Sequence, residues 1–138
     1  MRFVMSMALL CAALAGCGSG TEPTAQFIDG PWSQDFSTPG SFFTMQLTAS
    51  GSNVSGTGNW CGEAGPCGTV SVVGTVSGGT VHLDLTLIQQ VPVAGVTSVE
   101  HFDGAFSGRY ALVGTQTSDV PGSGPHPVTY RHPVVDPV

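Results

Sequence analysis

The chain has 138 residues and carries nine Asp and Glu against three arginines and no lysine, a formal net charge of −6. That length suits one domain and is short for two. The acidic balance argues against nucleic acid or anionic lipid headgroups as partners, since both require basic surface, and the lack of lysine rules out lysine chemistry such as Schiff bases.

Arg2 is followed by an apolar run over residues 3–15, then small residues and a cysteine, and Gly18-Ser19-Gly20 ends the run at once. A secretory signal has an apolar region of about 7–15 residues, whereas a spanning helix needs about 20, so the run predicts an exported chain rather than a membrane span. Leu14-Ala15-Gly16-Cys17 resembles the lipobox of bacterial lipoproteins. The resemblance implies cleavage after residue 16, diacylglyceryl attachment to the Cys17 sulfur and acylation of its new amino group. Each buried methylene contributes about 0.8 kcal/mol and stable anchoring takes two or more chains, so Cys17 would hold the protein on a membrane without a spanning helix. Gly18 follows Cys17, where lipoproteins kept at an inner membrane commonly carry Asp; the family rule then implies an outer membrane in the bacterial cell envelope. Removing the first 16 residues also takes Arg2, leaving two arginines against nine acids, a formal charge of −7.

Residues 17–26 read as a flexible tether, 27–117 as a β-domain and 118–138 as a Pro/Gly-rich tail. Glycine is abundant, Thr, Ser and Val recur, and no stretch after the signal holds a helical period, so the chain is expected to be all-β. A first strand is predicted over 27–34, interrupted at Gly30-Pro31. Residues 41–49 alternate, with Phe43, Met45 and Leu47 on one face, and 53–60 return after a Ser50-Gly51-Ser52 turn. Between Cys61 and Cys67 lie only five residues, and export predicts a disulfide between them worth about 2–3 kcal/mol. Strands over 68–76 and 80–89 follow, the second with Val81, Leu83, Leu85 and Leu87 inward and His82, Asp84 and Thr86 outward. After a connection over 90–97, strands over 98–107 and 109–117 complete the set. The 118–138 tail is read as a loose strap, with 128–130 able to supply a short closing strand. Short strands joined in sequence give an antiparallel up-and-down meander, closing into a small barrel of 7–8 strands, with a β-sandwich as the alternative. Three Val-Ser-Gly-Thr or Val-Gly-Thr phrases, at Val54, Val73 and Val113, predict strand-bending glycines.

Gly30-Pro31-Trp32 resembles the Gly-x-Trp with which calycin barrels, lipocalins and avidins among them, begin their first strand. The similarity covers at most residues 29–57. It implies that Trp32 packs across a closed barrel end under an arginine, for which Arg109 and Arg131 are the candidates. The avidin row of tryptophans is missing, since only Trp32 and Trp60 exist, and so is the lipocalin Thr-Asp-Tyr; this argues against biotin.

Two phrases, His82-Leu83-Asp84 and His101-Phe102-Asp103, predict a register. If Leu83 meets Phe102 inside, Asp84 faces His101 and His82 faces Asp103 outside, within cross-strand reach. Two surface ion pairs are the expected outcome, and a two-His, two-carboxylate metal site at His82, Asp84, His101 and Asp103 is the less favoured reading, because a flat sheet face rarely converges ligands. The same parity puts Glu100 inward beside Phe102, where a carboxyl must be paired, protonated or wet; it is read as a rim position, with a ligand cavity as the alternative and Arg109 the available cation. His126 and His132 sit between prolines in the tail. Ser107, His101 and Asp103 have the residue types of a hydrolase triad, but their positions along one strand keep them apart, so no enzyme, catalytic residue or cofactor is expected. The expected function is a lipid-anchored binding module whose ligand the sequence does not name, with a small apolar ligand or an envelope protein as partner; the alternative is a structural envelope lipoprotein without a ligand, and a distant third an enzyme inhibitor or enzyme.

Overall fold

The computed structural model describes residues 25–34 and 40–133. The signal segment, the lipobox with Cys17 and most of the tether lie outside them.

A single 3-10 turn, η1 (Ala25–Ile28), leads into eight strands: β1 (Gly30–Gln34), β2 (Phe42–Ser50), β3 (Asn53–Cys61), β4 (Cys67–Ser77), β5 (Thr80–Val91), β6 (Thr97–Phe106), β7 (Ala111–Ser118) and β8 (His126–Arg131). Each strand pairs antiparallel with the next, and β8 returns to β1, giving a closed up-and-down barrel. This is the barrel rather than the sandwich, and it is consistent with the calycin-like architecture that Gly30-Pro31-Trp32 implies. The period of two in β2 and β5 sends Phe43, Met45, Leu47, Val81, Leu83 and Leu85 into a core that also holds Trp32, Phe102 and Tyr130. Phe42, one position out of phase, is exposed at the rim.

Inward glycines make room for the large side chains. A Cβ on Gly56 would stand 2.7 Å from Leu47 Cδ2, one on Gly74 2.9 Å from Leu83 Cδ2, and one on Gly104 2.6 Å from Phe102 Cζ. Two of the Val-Gly phrases meet directly, since Val54 pairs with Gly74.

The two poles differ. At one, tight turns join β2 to β3, β4 to β5 and β6 to β7, and backbone bonds tie them together, Val76 N–H to Ser52 O at 2.9 Å and Phe106 N–H to Gly79 O at 3.0 Å. η1 enters here and covers the end. Ile28 is fully buried, Trp32 Nε1 donates to its carbonyl at 2.7 Å, and Asp29 Oδ1 accepts from Ala49 N–H at 2.6 Å. The opposite pole carries the longer connections, including the Cys61–Cys67 loop, and is open.

The structure corrects several boundaries. Residues 27 and 28 belong to the 3-10 turn rather than to the first strand, which starts at Gly30, at φ 118°, and runs through Pro31 without the interruption expected there. β7 begins at Ala111, leaving Arg109 in the β6–β7 turn. The barrel does not end at residue 117: β8 lies within the stretch read as a tail and pairs with β7 over Gln116↔His126 to Ala111↔Arg131. Pro127 is tolerated because β1 reaches only Tyr130 and Arg131, so the proline end of β8 has one strand neighbour among the described residues.

Candidate functional site

At the open pole the inward positions change character. Below the rim the barrel is filled with aliphatic and aromatic side chains, but the last inward residue or two of several strands are Gln34, Trp60, Glu100, Gln116 and His126. With Phe43 and Leu87 they frame a solvent-open cavity of about 350 Å³, bordered on one side by the disulfide loop through Cys61, Gly62 and Glu63. The volume lies at the lower end of the range for small-molecule sites. Cys61 and Cys67 form the disulfide expected, and Gly62 and Pro66 bridge its loop by a backbone bond of 2.8 Å.

Three polar groups meet below this mouth. Tyr130, fully buried, donates its hydroxyl to Gln116 Oε1 at 2.6 Å. Burial, and then the charge of Glu100, push its phenol well above the ordinary tyrosine range, so it serves as a neutral donor. Glu100 projects from β6 between Leu85 on β5 and Ser118 on β7, and its Oε2 is buried without a hydrogen-bond partner among the described residues. A buried polar atom without a partner costs about 1–3 kcal/mol, so its retention calls for an explanation. Trp60 completes the wall, its ring fixed by a bond from Nε1 to Thr69 O at 3.1 Å.

A larger furrow of about 590 Å³ runs along the outer wall over β2, β3 and β4, lined by uncharged groups such as Thr44, Gln46, Thr57, Asn59 and Ser71. It holds no buried unpartnered atom, and the site chemistry therefore lies at the mouth.

The β5–β6 register is the one the two His-x-Asp phrases imply, with Leu83 opposite Phe102, His82 opposite Asp103 and Asp84 opposite His101. On the outer wall these residues extend into a chain. His82 Nδ1 bonds Asp103 Oδ1 at 2.6 Å and its Nε2 lies 3.2 Å from Asp84 Oδ1; His101 Nδ1 bonds the same Asp84 oxygen at 2.6 Å and its Nε2 bonds Asp119 Oδ1 at 3.0 Å. The two phrases do not point to Asp119, which lies just past the end of β7, in the β7–β8 connection. Each imidazole thus turns both nitrogens toward carboxylates, an arrangement that favours the doubly protonated ring and leaves no lone pair for a metal. Among the described residues no group of three His, Cys, Asp or Glu is placed to hold a metal ion.

The chain of alternating charges carries a pH dependence. The hydrogen bond to Asp103 holds the His82 pKa above its ordinary 6.5, and the bond to Asp84 does the same for His101. The bond from His101 holds Asp84 below its ordinary 3.8. A raised histidine stabilises the fold in full below about 6.5 and loses that contribution as pH rises through the folded value. The lowered Asp84 contributes above about 3.8 and loses it on acidification. The network is therefore at full strength between roughly pH 4 and 6.5. Its members are well exposed, which limits each pair to about 0.2–1 kcal/mol. Wild type is expected to melt about 2–5 °C higher at pH 5.5 than at pH 8.5, relative to a His82→Gln/His101→Gln double variant measured at the same two values. Parallel melting curves for the two proteins would remove the network from the stability account.

The remaining residues are placed as follows. Trp32 packs edge-on against Phe106 at 6.3 Å and His132 at 5.2 Å between ring centroids. Arg109, in the β6–β7 turn, lays its guanidinium over the Phe27 ring at 4.8 Å, at the closed pole and far from Glu100. Arg131 ends β8 at that same pole. Ser107 lies in a turn and His101 and Asp103 on the outer wall, so these three do not converge. His126 opens β8 at the mouth and His132 packs at the closed pole, its Nε2 3.3 Å from Asp29 O.

Comparison with protein-family models, with curated proteins and with solved structures gives no match.

Proposed function

We propose that this protein is an envelope binding module, anchored through a lipidated Cys17, whose barrel takes a small ligand at its open pole. The observation that carries the reading is the mouth itself: a cavity of about 350 Å³ with aromatic walls and a buried, unpartnered carboxyl oxygen at its edge. Pockets of this kind, mostly apolar with a few convergent polar groups, are what small-molecule recognition requires. The chain enters the barrel at the closed pole through η1, so a tether over residues 17–26 would leave the mouth turned away from the bilayer. An outer-membrane address, following from Gly18 after Cys17, belongs to the same proposal. It is a binding rather than a catalytic role, supported by the separation of Ser107, His101 and Asp103 and by the ion-paired state of both outer-wall histidines.

Native mass spectrometry of the full-length protein purified from its own host is expected to retain a small added mass in wild type. Leu87→Trp, which fills the mouth from β5, should lose that mass. Cys17→Ser should keep it while releasing the protein from the membrane fraction. A wild-type spectrum without an added mass would favour the second reading, a structural envelope lipoprotein without a ligand, which draws its support from the densely filled middle of the barrel.

A further inference from the structure

We propose that the mouth selects small organic cations, seating an ammonium or amidinium head on Glu100 and an apolar body against Phe43, Trp60 and Leu87. This rests on reading the mouth as a ligand site and adds the charge class of the ligand.

Four observations converge. Glu100 Oε2 is buried and has no donor among the described residues, so this one oxygen has given up water without receiving a partner. The buried Tyr130 hydroxyl is already given to Gln116 Oε1 and is not available to Glu100. Of the two arginines of the described residues, Arg109 stands at the opposite pole and Arg131 points outward from β8, whereas the cavity rim adds a second acid, Glu63. The walls are aromatic: Trp60, its only N–H committed to Thr69 O, and Phe43, its partner in the β2–β3 register, both line the cavity. Aromatic walls and a carboxyl with one unpartnered buried oxygen favour the same guest, a cation with hydrophobic surface. A neutral apolar guest would seal Glu100 further without supplying a donor. An anion would face two acids.

The test is isothermal titration of the purified full-length protein with three probes of one shape: phenethylammonium, phenethyl alcohol and hydrocinnamate. Phenethylammonium is expected to bind at least about tenfold more tightly than the alcohol, and hydrocinnamate to give no measurable heat. In Glu100→Gln, which is nearly isosteric, the ammonium and the alcohol should come within about twofold of each other. The ranking in wild type decides the matter even if the variant folds poorly. Equal binding of ammonium and alcohol to wild type, or a preference for the ammonium that survives in Glu100→Gln, would overturn the cation selectivity and leave the mouth standing as a ligand site. Absence of heat with all three probes would overturn both.

Discussion

Gly58→Ala is expected to lower the melting temperature by more than about 10 °C, from a loss of about 3 kcal/mol. Gly58 sits in the middle of β3, between Met45 on β2 and Val70 on β4. A Cβ built there would lie 1.9 Å from the Thr44 carbonyl oxygen and 2.7 Å from Met45 Cα. Both are backbone atoms, so no rotamer change relieves the contact, and β2 and β3 must move apart there. Overpacking a core with movable side chains costs about 1–3 kcal/mol, and a backbone collision belongs at or above the top of that range. Gly124→Ala is the control. It lies in the β7–β8 connection with nothing within 4 Å of an added Cβ, and should melt within about 2 °C of wild type. Thermal denaturation followed by circular dichroism reads both. A Gly58→Ala melt indistinguishable from Gly124→Ala would mean that β2 and β3 do not approach each other as closely as the register requires.

What could be read from the sequence depended on how far apart the deciding residues lay. Alternation within β2 and β5 is local, and it correctly sorted Phe43, Met45, Leu47, Val81, Leu83 and Leu85 to the inside. The paired phrases around Leu83 and Phe102 carried register information, because only one alignment brings both histidines to aspartates. β8 was obscured by its own chemistry. Pro125 and Pro127 argue against a ladder, and the strand is accepted only because β1 touches its final two residues. With only residues 128–130 offered as a short closing strand, the bond from Tyr130 to Gln116 and the approach of His126 to the mouth stayed hidden.

Glu100 illustrates the same limit at the candidate site. Its parity with Phe102 placed it inward, and the sequence offered Arg109 as a partner. Yet six residues of β6, roughly 20 Å at about 3.3 Å each, separate Glu100 from Phe106, where the strand ends at the closed pole, and Arg109 lies beyond that end. The carboxyl and the guanidinium therefore stand at opposite poles of the barrel. An acid without its cation is what turns an ordinary rim position into a candidate recognition group.

The closed pole yields the other large effect. Trp32→Ala is expected to cost about 3–5 kcal/mol, a fall of more than about 12 °C in melting temperature. The indole is 1 % exposed, bonds the Ile28 carbonyl and meets the Phe106 and His132 rings edge-on, so its removal opens a void that η1, β1, β6 and the end of β8 all border. Arg109→Ala should stay within about 1 kcal/mol of wild type, because its guanidinium lies on the Phe27 ring in an exposed turn, where a cation–π contact contributes about 0.5–1 kcal/mol. The calycin resemblance implies something different, an arginine clamped over the tryptophan, and in that arrangement the two variants would lose comparable stability. Chemical denaturation of both at neutral pH separates the cases. A loss for Arg109→Ala approaching that of Trp32→Ala would put the clamp back; a small one leaves the pole held by Ile28, Trp32 and the two rings packed against it.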